Sequence, residues 1–236
     1  RLMELLRIPS ISTDPAYKPD CARAADWLVE DLKGLGFDAR AAATPGHPMV
    51  VAHGGEGRRH ILFYGHYDVQ PVDPLALWTR DPFDPAIEDG PRGKIIRARG
   101  ASDDKGQLMT FIEACRAWKA VHGRLPGNLT IFLEGEEESG SPSLIPFLQA
   151  NKDELSCDLA LICDTGLFDS AVPAITTMLR GLCKAELANY ESRSCRRMAR
   201  AMETQDQTVS TPMPAPCGNR RRCAVCRDQT KTLTKC

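Results

Sequence analysis

The sequence predicts an α/β fold: a layered domain with a central mixed, largely parallel sheet and flanking helices, followed by a tail of different character. Three observations predict it. Amphipathic helical stretches alternate with short apolar runs along residues 1–182. Two of those runs, "NLTIFLE" and "DLALICD", are apolar throughout, as strands covered on both faces are. Composition then shifts abruptly near Cys183.

The elements follow in order. A short helical start is followed by "PDCARAADWLVEDLKGLG", where Ala24, Leu28, Leu32 and Leu35 form one stripe and Gly36 supplies a stop. "FDARAAA", "PMVVAH" and "HILFYGH" read as strands separated by Pro and Gly, and "GKIIRAR" as another. "KGQLMTFIEACRAWKAVHG" is helical, with Leu108, Phe111, Cys115, Trp118 and His122 expected on its inner stripe. "NLTIFLE" and "DLALICD" are strands, and "SGSPSLIPFLQANKDEL" between them is a helix expected to be capped by a Ser near 139–141.

The chain has 236 residues, 42% of them hydrophobic, which suits a packed core and excludes disorder throughout. No apolar run approaches the ~20 residues that span a bilayer, so no membrane partner is expected. Residues 1–183 carry 19 Lys and Arg against 26 Asp and Glu, a net −7, whereas 184–236 carry 11 against 5, a net +6. Cysteines change at the same place. Cys21, Cys115, Cys157 and Cys163 are thinly spread and read as reduced thiols of a cytoplasmic protein, while six more crowd the last 54 residues.

Four polar motifs fall at predicted strand ends, where ligands of α/β sheets bind. They are "YGHYD" with His66 and Asp68, "GASDDKG" with Asp103 and Asp104, "EGEEESGS" with Glu136, Glu137 and Glu138, and "CDTG" with Asp164. Taken singly, each has an ordinary reading as a strand-end His, a helix cap or a solvated acidic turn. Together, one imidazole and several carboxylates on a single rim point to a dinuclear metal site, since zinc-type ions accept both donors and a bridging carboxylate joins two such ions. Three adjacent glutamates repel one another unless cations neutralise them.

In order along the chain, "LFYGHYDVQPV", "WTRDPFDPAIEDGPRGKIIRARGASDDKGQ", "LEGEEESGSPSL", "ALICDTG" and "PAITTMLRGL" resemble the dinuclear zinc peptidases. That family includes carnosinase-type dipeptidases, aminoacylase, carboxypeptidase G and succinyl-diaminopimelate desuccinylase, and "GHYDVQP", "SDDKG" and "EGEEESGS" place the resemblance nearest the dipeptidase branch. It implies that His66 and Asp164 hold one metal, that Asp103 bridges both ions and that Glu138 binds the second. It further implies Glu137 as general base and acid, Asp68 as the residue orienting the imidazole, and Glu136 as a neighbour only. A cis peptide is implied between Asp103 and Asp104. The implied chemistry is hydrolysis of amide bonds in small peptides or N-acyl amino acids with Zn2+, two per site, or with Mn2+ or Co2+, which the same N and O donors accept.

The family pattern stops after Leu182. The five histidines stand at 47, 53, 60, 66 and 122, none after Asp164, so the resemblance leaves Glu138's ion without a second imidazole. It also implies that the lid and the C-terminal part of the catalytic domain are missing, and with them the family's usual homodimer interface. Residues 1–187 are therefore expected to be the N-terminal portion of the catalytic domain and 188–236 an aberrant, disordered tail of unrelated sequence. In that tail "CAVC" suggests a small zinc site, and "RRMAR" and "NRRRC" a nucleic-acid contact. Without His, a second CxxC or stacking aromatics, neither is the expected reading, and no nucleic-acid partner is expected. The alternative to a hydrolase is a truncated, non-catalytic remnant that binds at most one metal through His66, Asp103 and Asp164.

Overall fold

A computed structural model describes residues 1–166, 169, 172 and 174–176. The division at 187/188 and the cysteine-rich tail lie outside the described residues. The elements are α1 (Leu2–Leu6), α2 (Lys18–Leu35), β1 (Asp38–Ala42), β2 (Met49–Gly54), β3 (His60–His66), β4 (Ala86–Gly90), β5 (Gly93–Arg97), α3 (Lys105–His122), β6 (Asn128–Glu134), α4 (Leu144–Ala150) and β7 (Leu159–Ile162).

Five strands form one mixed sheet in the order β1-β2-β6-β3-β7, and β4 and β5 form a separate hairpin. β3, β6 and β7 run parallel, β2 joins β6 antiparallel, and β1 pairs antiparallel with β2 at the edge. The register sets His66 opposite Glu134 and Tyr64 opposite Ile162. The carboxyl ends of three parallel strands therefore open onto one rim, and the turns leaving them carry His66, the Glu136–Glu138 run and Asp164. Because β2 is antiparallel to β6, the loop entering β2 at Met49 reaches that rim too.

The two faces of the sheet are filled differently. Val50, Ala52, Phe63, Ile131 and Leu133 pack with Ala24, Leu28 and Leu32 of α2 and Leu108, Ile112 and Cys115 of α3. On the other face Met49, Val51, Leu62 and Phe132 meet Leu144 and Phe147 of α4. Each fully buried aliphatic or aromatic side chain contributes about 1.5–3 kcal/mol. The predicted stripe of α2 is buried throughout, and Gly36, at φ 99°, ends the helix in the left-handed conformation glycine favours.

Several expectations need correction. On α3 the buried face is Leu108, Met109, Ile112 and Cys115, whereas Trp118 is 44% exposed and lies tilted against His122, ring centroids 4.2 Å apart. The helix is apolar over more than one stripe, and contact with α2 and the sheet selects the narrower one. α4 begins at Leu144 behind Ser143, which makes no side-chain cap. The Ser143 N–H is taken by the Glu136 carboxylate instead, and Ser141 donates to Glu134. β7 is exposed along its length, with Leu159 57% accessible, so its apolar run is not covered on both faces.

The N-terminal segment is tied beneath the rim by Lys105. Its buried ammonium donates to the carbonyls of Leu5 and Ile8 at 3.1 and 2.7 Å, and burial pushes its pKa down to about 7. Ser10 Oγ donates to the Tyr67 carbonyl, and the Val69 N–H to that of Ser10. The cysteines at 21, 115, 157 and 163 are free thiols, the first two buried. Among the described residues no helix is long and apolar enough to cross a membrane.

At the opposite edge of the sheet, Arg40 of β1 reaches Glu154 at 2.6 Å and His53 meets the same carboxylate at 2.9 Å. The Arg40 hydrogen bond, helped by His53, holds Glu154 down at about 2, below its ordinary value of 4.5. The folded chain thus binds fewer protons than the unfolded one between those values, so the stabilisation is present above about pH 4.5 and lost as pH falls toward 2. With both partners partly solvated, it is about 0.5–1 kcal/mol. Arg40→Met should lower the unfolding free energy by that amount at pH 7 and by nothing measurable at pH 2, in urea unfolding; equal losses at both would assign the effect to the arginine stem.

Candidate metal centre

His66, the last residue of β3, is fully buried. Its Nε2 lies 3.1 Å from Asp103 Oδ1 and 3.5 Å from Asp164 Oδ2. Its Nδ1 lies 3.3 Å from Asp68 Oδ1 and 3.2 Å from the Asp68 carbonyl. Burial opposes a charge on this imidazole, but the bonds to Asp103, Asp164 and Asp68 outweigh it and raise its pKa.

Asp68 is also fully buried, and its carboxylate does more than face the ring. Oδ1 accepts the Glu137 N–H at 3.2 Å and Oδ2 the Glu138 N–H at 3.0 Å. One carboxylate therefore connects the strand carrying the imidazole to the turn carrying two glutamates. Glu136 is likewise buried: it accepts the N–H groups of His47 and Ser143, each at 3.1 Å. Gly46 makes that possible, since a Cβ there would lie 1.4 Å from Glu136 Oε1. The sequence reading took Glu136 for a neighbour only; the glycine in "PGHP" was the available signal.

Asp103 and Asp104 arrive by another route. β5 precedes them but belongs to the hairpin, not the central sheet, and the pair stands at the start of α3 with a cis peptide between them. Asp104 Oδ2 accepts the His66 N–H at 3.0 Å. Burial, ahead of the charges on Asp164 and Asp103, pushes Asp104 up to about 7, whereas the hydrogen bond from His66 lowers Asp103. Glu138 is pushed up to about 7 by burial and then by Asp103, and Glu137 is raised by burial first.

These shifts describe a site with more negative charge than its protein cations balance. Two triads have donor atoms within 4.8 Å of one another: His66 with Asp103 and Asp164, and His66 with Glu137 and Glu138. Imidazole nitrogen plus carboxylate oxygen is a donor set that fits a divalent ion of the zinc type, and an ion there would offset the burial and the neighbouring negative charge that raise Glu137 and Glu138. The residues present thus fit a metal. The sequence-predicted residues His66, Asp68, Asp103, Glu137, Glu138 and Asp164 all meet at this rim. Sequence reasoning missed Gln70, which donates to Glu138, and Gln107, which donates to Asp164. It also missed Arg99, stacked 5.4 Å over Trp78 and donating to the Pro71 carbonyl.

A mixed α/β sheet with an acidic, His-containing cluster at its parallel strand ends defines an α/β protein with a centre of the metal-binding type. The sequence profile of peptidase family M20/M25/M40 matches residues 62–221, and the chain belongs to that family. A Cys-Gly metallodipeptidase of Schizosaccharomyces pombe is 32% identical over 199 residues, covering 78% of this chain and 41% of the yeast protein. Human Beta-Ala-His dipeptidase is 35% identical over 189 residues, covering 73% of this chain and 36% of the human one. The solved M20 family metallo-carboxypeptidase Sso-CP2 of Sulfolobus solfataricus superposes with a TM-score of 0.64 at 38% identity, covering 70% of this chain and 37% of that one. The chain thus spans about two-fifths of the length of the relatives it matches.

Asp68→Asn keeps the shape of the buried carboxylate but turns an NH2 toward a backbone N–H. It should cost about 1–3 kcal/mol of unfolding free energy, measured by urea unfolding. An unchanged midpoint would show that the Glu137–Glu138 turn does not depend on Asp68.

Proposed function

We propose that this chain carries the metal-binding half of a dinuclear hydrolase that cleaves amide bonds of small peptides or N-acyl amino acids, of the dipeptidase type. The observation that carries the reading is the meeting of two donor triads at His66, one through Asp103 and Asp164 and one through Glu137 and Glu138. The names of the relatives, which act on Cys-Gly and Beta-Ala-His dipeptides, support small peptides as the substrate class. In this reading His66 and Asp164 hold one ion, Glu138 the other, and Asp103 lies between them. The donors suit Zn2+ first, and Mn2+ or Co2+ equally in kind. Residues 1–187 form the N-terminal portion of the catalytic domain, and the protein acts in the cytoplasm, in keeping with the free thiols among the described residues.

A bound divalent ion supplies electrophilic polarisation of a carbonyl and a more acidic water at such a centre. The chain's own residues do the rest. Glu137, whose proton affinity burial raises, accepts the proton of the attacking water and returns it to the amine nitrogen as the C–N bond breaks. The products are a carboxylic acid and an amine, and Glu137 ends as it began. Asp68 holds the Glu137 backbone and faces the ring of His66, so the proton carrier and the imidazole share one support.

One observation favours a second reading. Both triads draw on the same imidazole, and none of the other four histidines joins either of them. A chain with one imidazole for two ions would hold a single ion through His66, Asp103 and Asp164 and turn over nothing.

Zinc content and dipeptide hydrolysis of the full chain separate the two. About two equivalents of Zn2+ with turnover, and a ~10²–10⁴-fold lower kcat in Glu137→Ala with metal content retained, is the expected outcome. One equivalent or less without turnover would establish the second reading.

A further inference from the structure

Two glutamines stand in equivalent relation to the two triads. Gln70 Nε2 donates to Glu138 Oε2 at 2.5 Å. Gln107 Nε2 donates to Asp164 Oδ1 at 3.4 Å, while its Oε1 accepts the Thr165 N–H at 3.2 Å. In each case an amide holds one carboxylate oxygen of a donor residue; for Asp164 the other oxygen, Oδ2, lies 3.5 Å from His66 Nε2.

Both glutamines are themselves anchored. Gln70 sits in the segment after β3, where the Arg99 guanidinium donates to the Pro71 carbonyl and lies over the Trp78 ring, and the Trp78 indole donates to the Val72 carbonyl. Gln107 is in the first turn of α3, three residues after Asp104. An amide suits this task better than a lysine or arginine would. It fixes a carboxylate by a hydrogen bond without neutralising it, so the full negative charge stays available to a cation.

We propose that Gln70 and Gln107 are positioning residues, each setting the affinity of one of the two metal positions independently: Gln70 through Glu138 and Gln107 through Asp164. The inference rests on the dinuclear reading of the site. Loss of such an outer partner weakens metal binding by ~10–100-fold.

The test is titration of the metal-free, full 236-residue chain with Zn2+ against a chromogenic chelator. Glu138→Gln and Asp164→Asn identify which uptake belongs to which ligand. Gln70→Leu should weaken the Glu138-dependent uptake ~10–100-fold and leave the Asp164-dependent uptake within ~3-fold, and Gln107→Leu should do the reverse. Gln70→Met and Gln107→Met keep the side-chain length, remove the donor without adding charge and should reproduce the losses. They serve in place of the leucine variants if those melt early in the metal-free state. Any pattern in which a glutamine variant leaves its own ion unaffected, or weakens both ions equally, overturns the proposal. Wild-type uptake that stays intact in all four variants overturns it while leaving the reading of the site in place. A wild-type chain that takes up no Zn2+ overturns both.

Discussion

The constraint on which the rest depends is the gathering of like charge at the ends of parallel strands. Parallel β3, β6 and β7 bring His66, the glutamate run and Asp164 to one rim, and α3 adds Asp103 and Asp104 from the side. Burial first, and then the neighbouring carboxylates, push Glu138 and Asp104 up to about 7, while Asp103, bonded to His66, is lowered. Such a rim is stable only if its backbone is held by something other than the repelling groups. Asp68 and Glu136 supply that hold by accepting backbone N–H groups, so part of the negative charge is spent on fixing the very turn that carries Glu137 and Glu138.

The support extends below the rim. Lys105 follows Asp103 and Asp104 in sequence but points the other way, into the carbonyls of Leu5 and Ile8. The same helix start therefore presents carboxylates to the site and a cation to the N-terminal segment. Residues 8–11 are in turn tied to Tyr67 and Val69, next to His66 and Asp68. The path from α1 to the imidazole is a chain of buried hydrogen bonds, and a buried donor or acceptor left without its partner costs about 1–3 kcal/mol. The geometry of the site is thus tied to the packing of residues far from it in sequence.

The fold was legible where burial is periodic. The stripe of α2 and the apolar runs of β3 and β6 announce themselves because each lies against a packed layer. β4 escaped because "AIEDG" belongs to a solvated hairpin and carries only a faint alternation. Trp118 was misplaced because an aromatic at helical spacing can sit on the surface when the core face beside it is already filled by Ile112 and Cys115. At the site, His66, Asp68 and the glutamates were legible because their positions at strand ends are local properties. Gln70 and Gln107 were not, because their partners lie 68 and 57 residues away and a glutamine carries no signal of its own.

In the dinuclear reading proposed above, the shared imidazole would set the order in which the two positions fill. Nε2 of His66 faces Asp103 and Asp164, whereas Nδ1 is engaged by Asp68, both by its carbonyl and by its carboxylate. A neutral imidazole has one lone pair to give, and the Asp68 contacts place the N–H on Nδ1, leaving Nε2 as the ligand. The triad with Asp103 and Asp164 therefore has the stronger claim on the ring, and the Glu137–Glu138 side must draw its affinity from carboxylates alone. Burial and then neighbouring charge raise both carboxylates, Glu138 to about 7, so an ion arriving there competes with protons. Under the proposed dinuclear reading, unequal occupancy, with the Asp164 side filled first, would follow from the tautomer that Asp68 imposes on one buried ring.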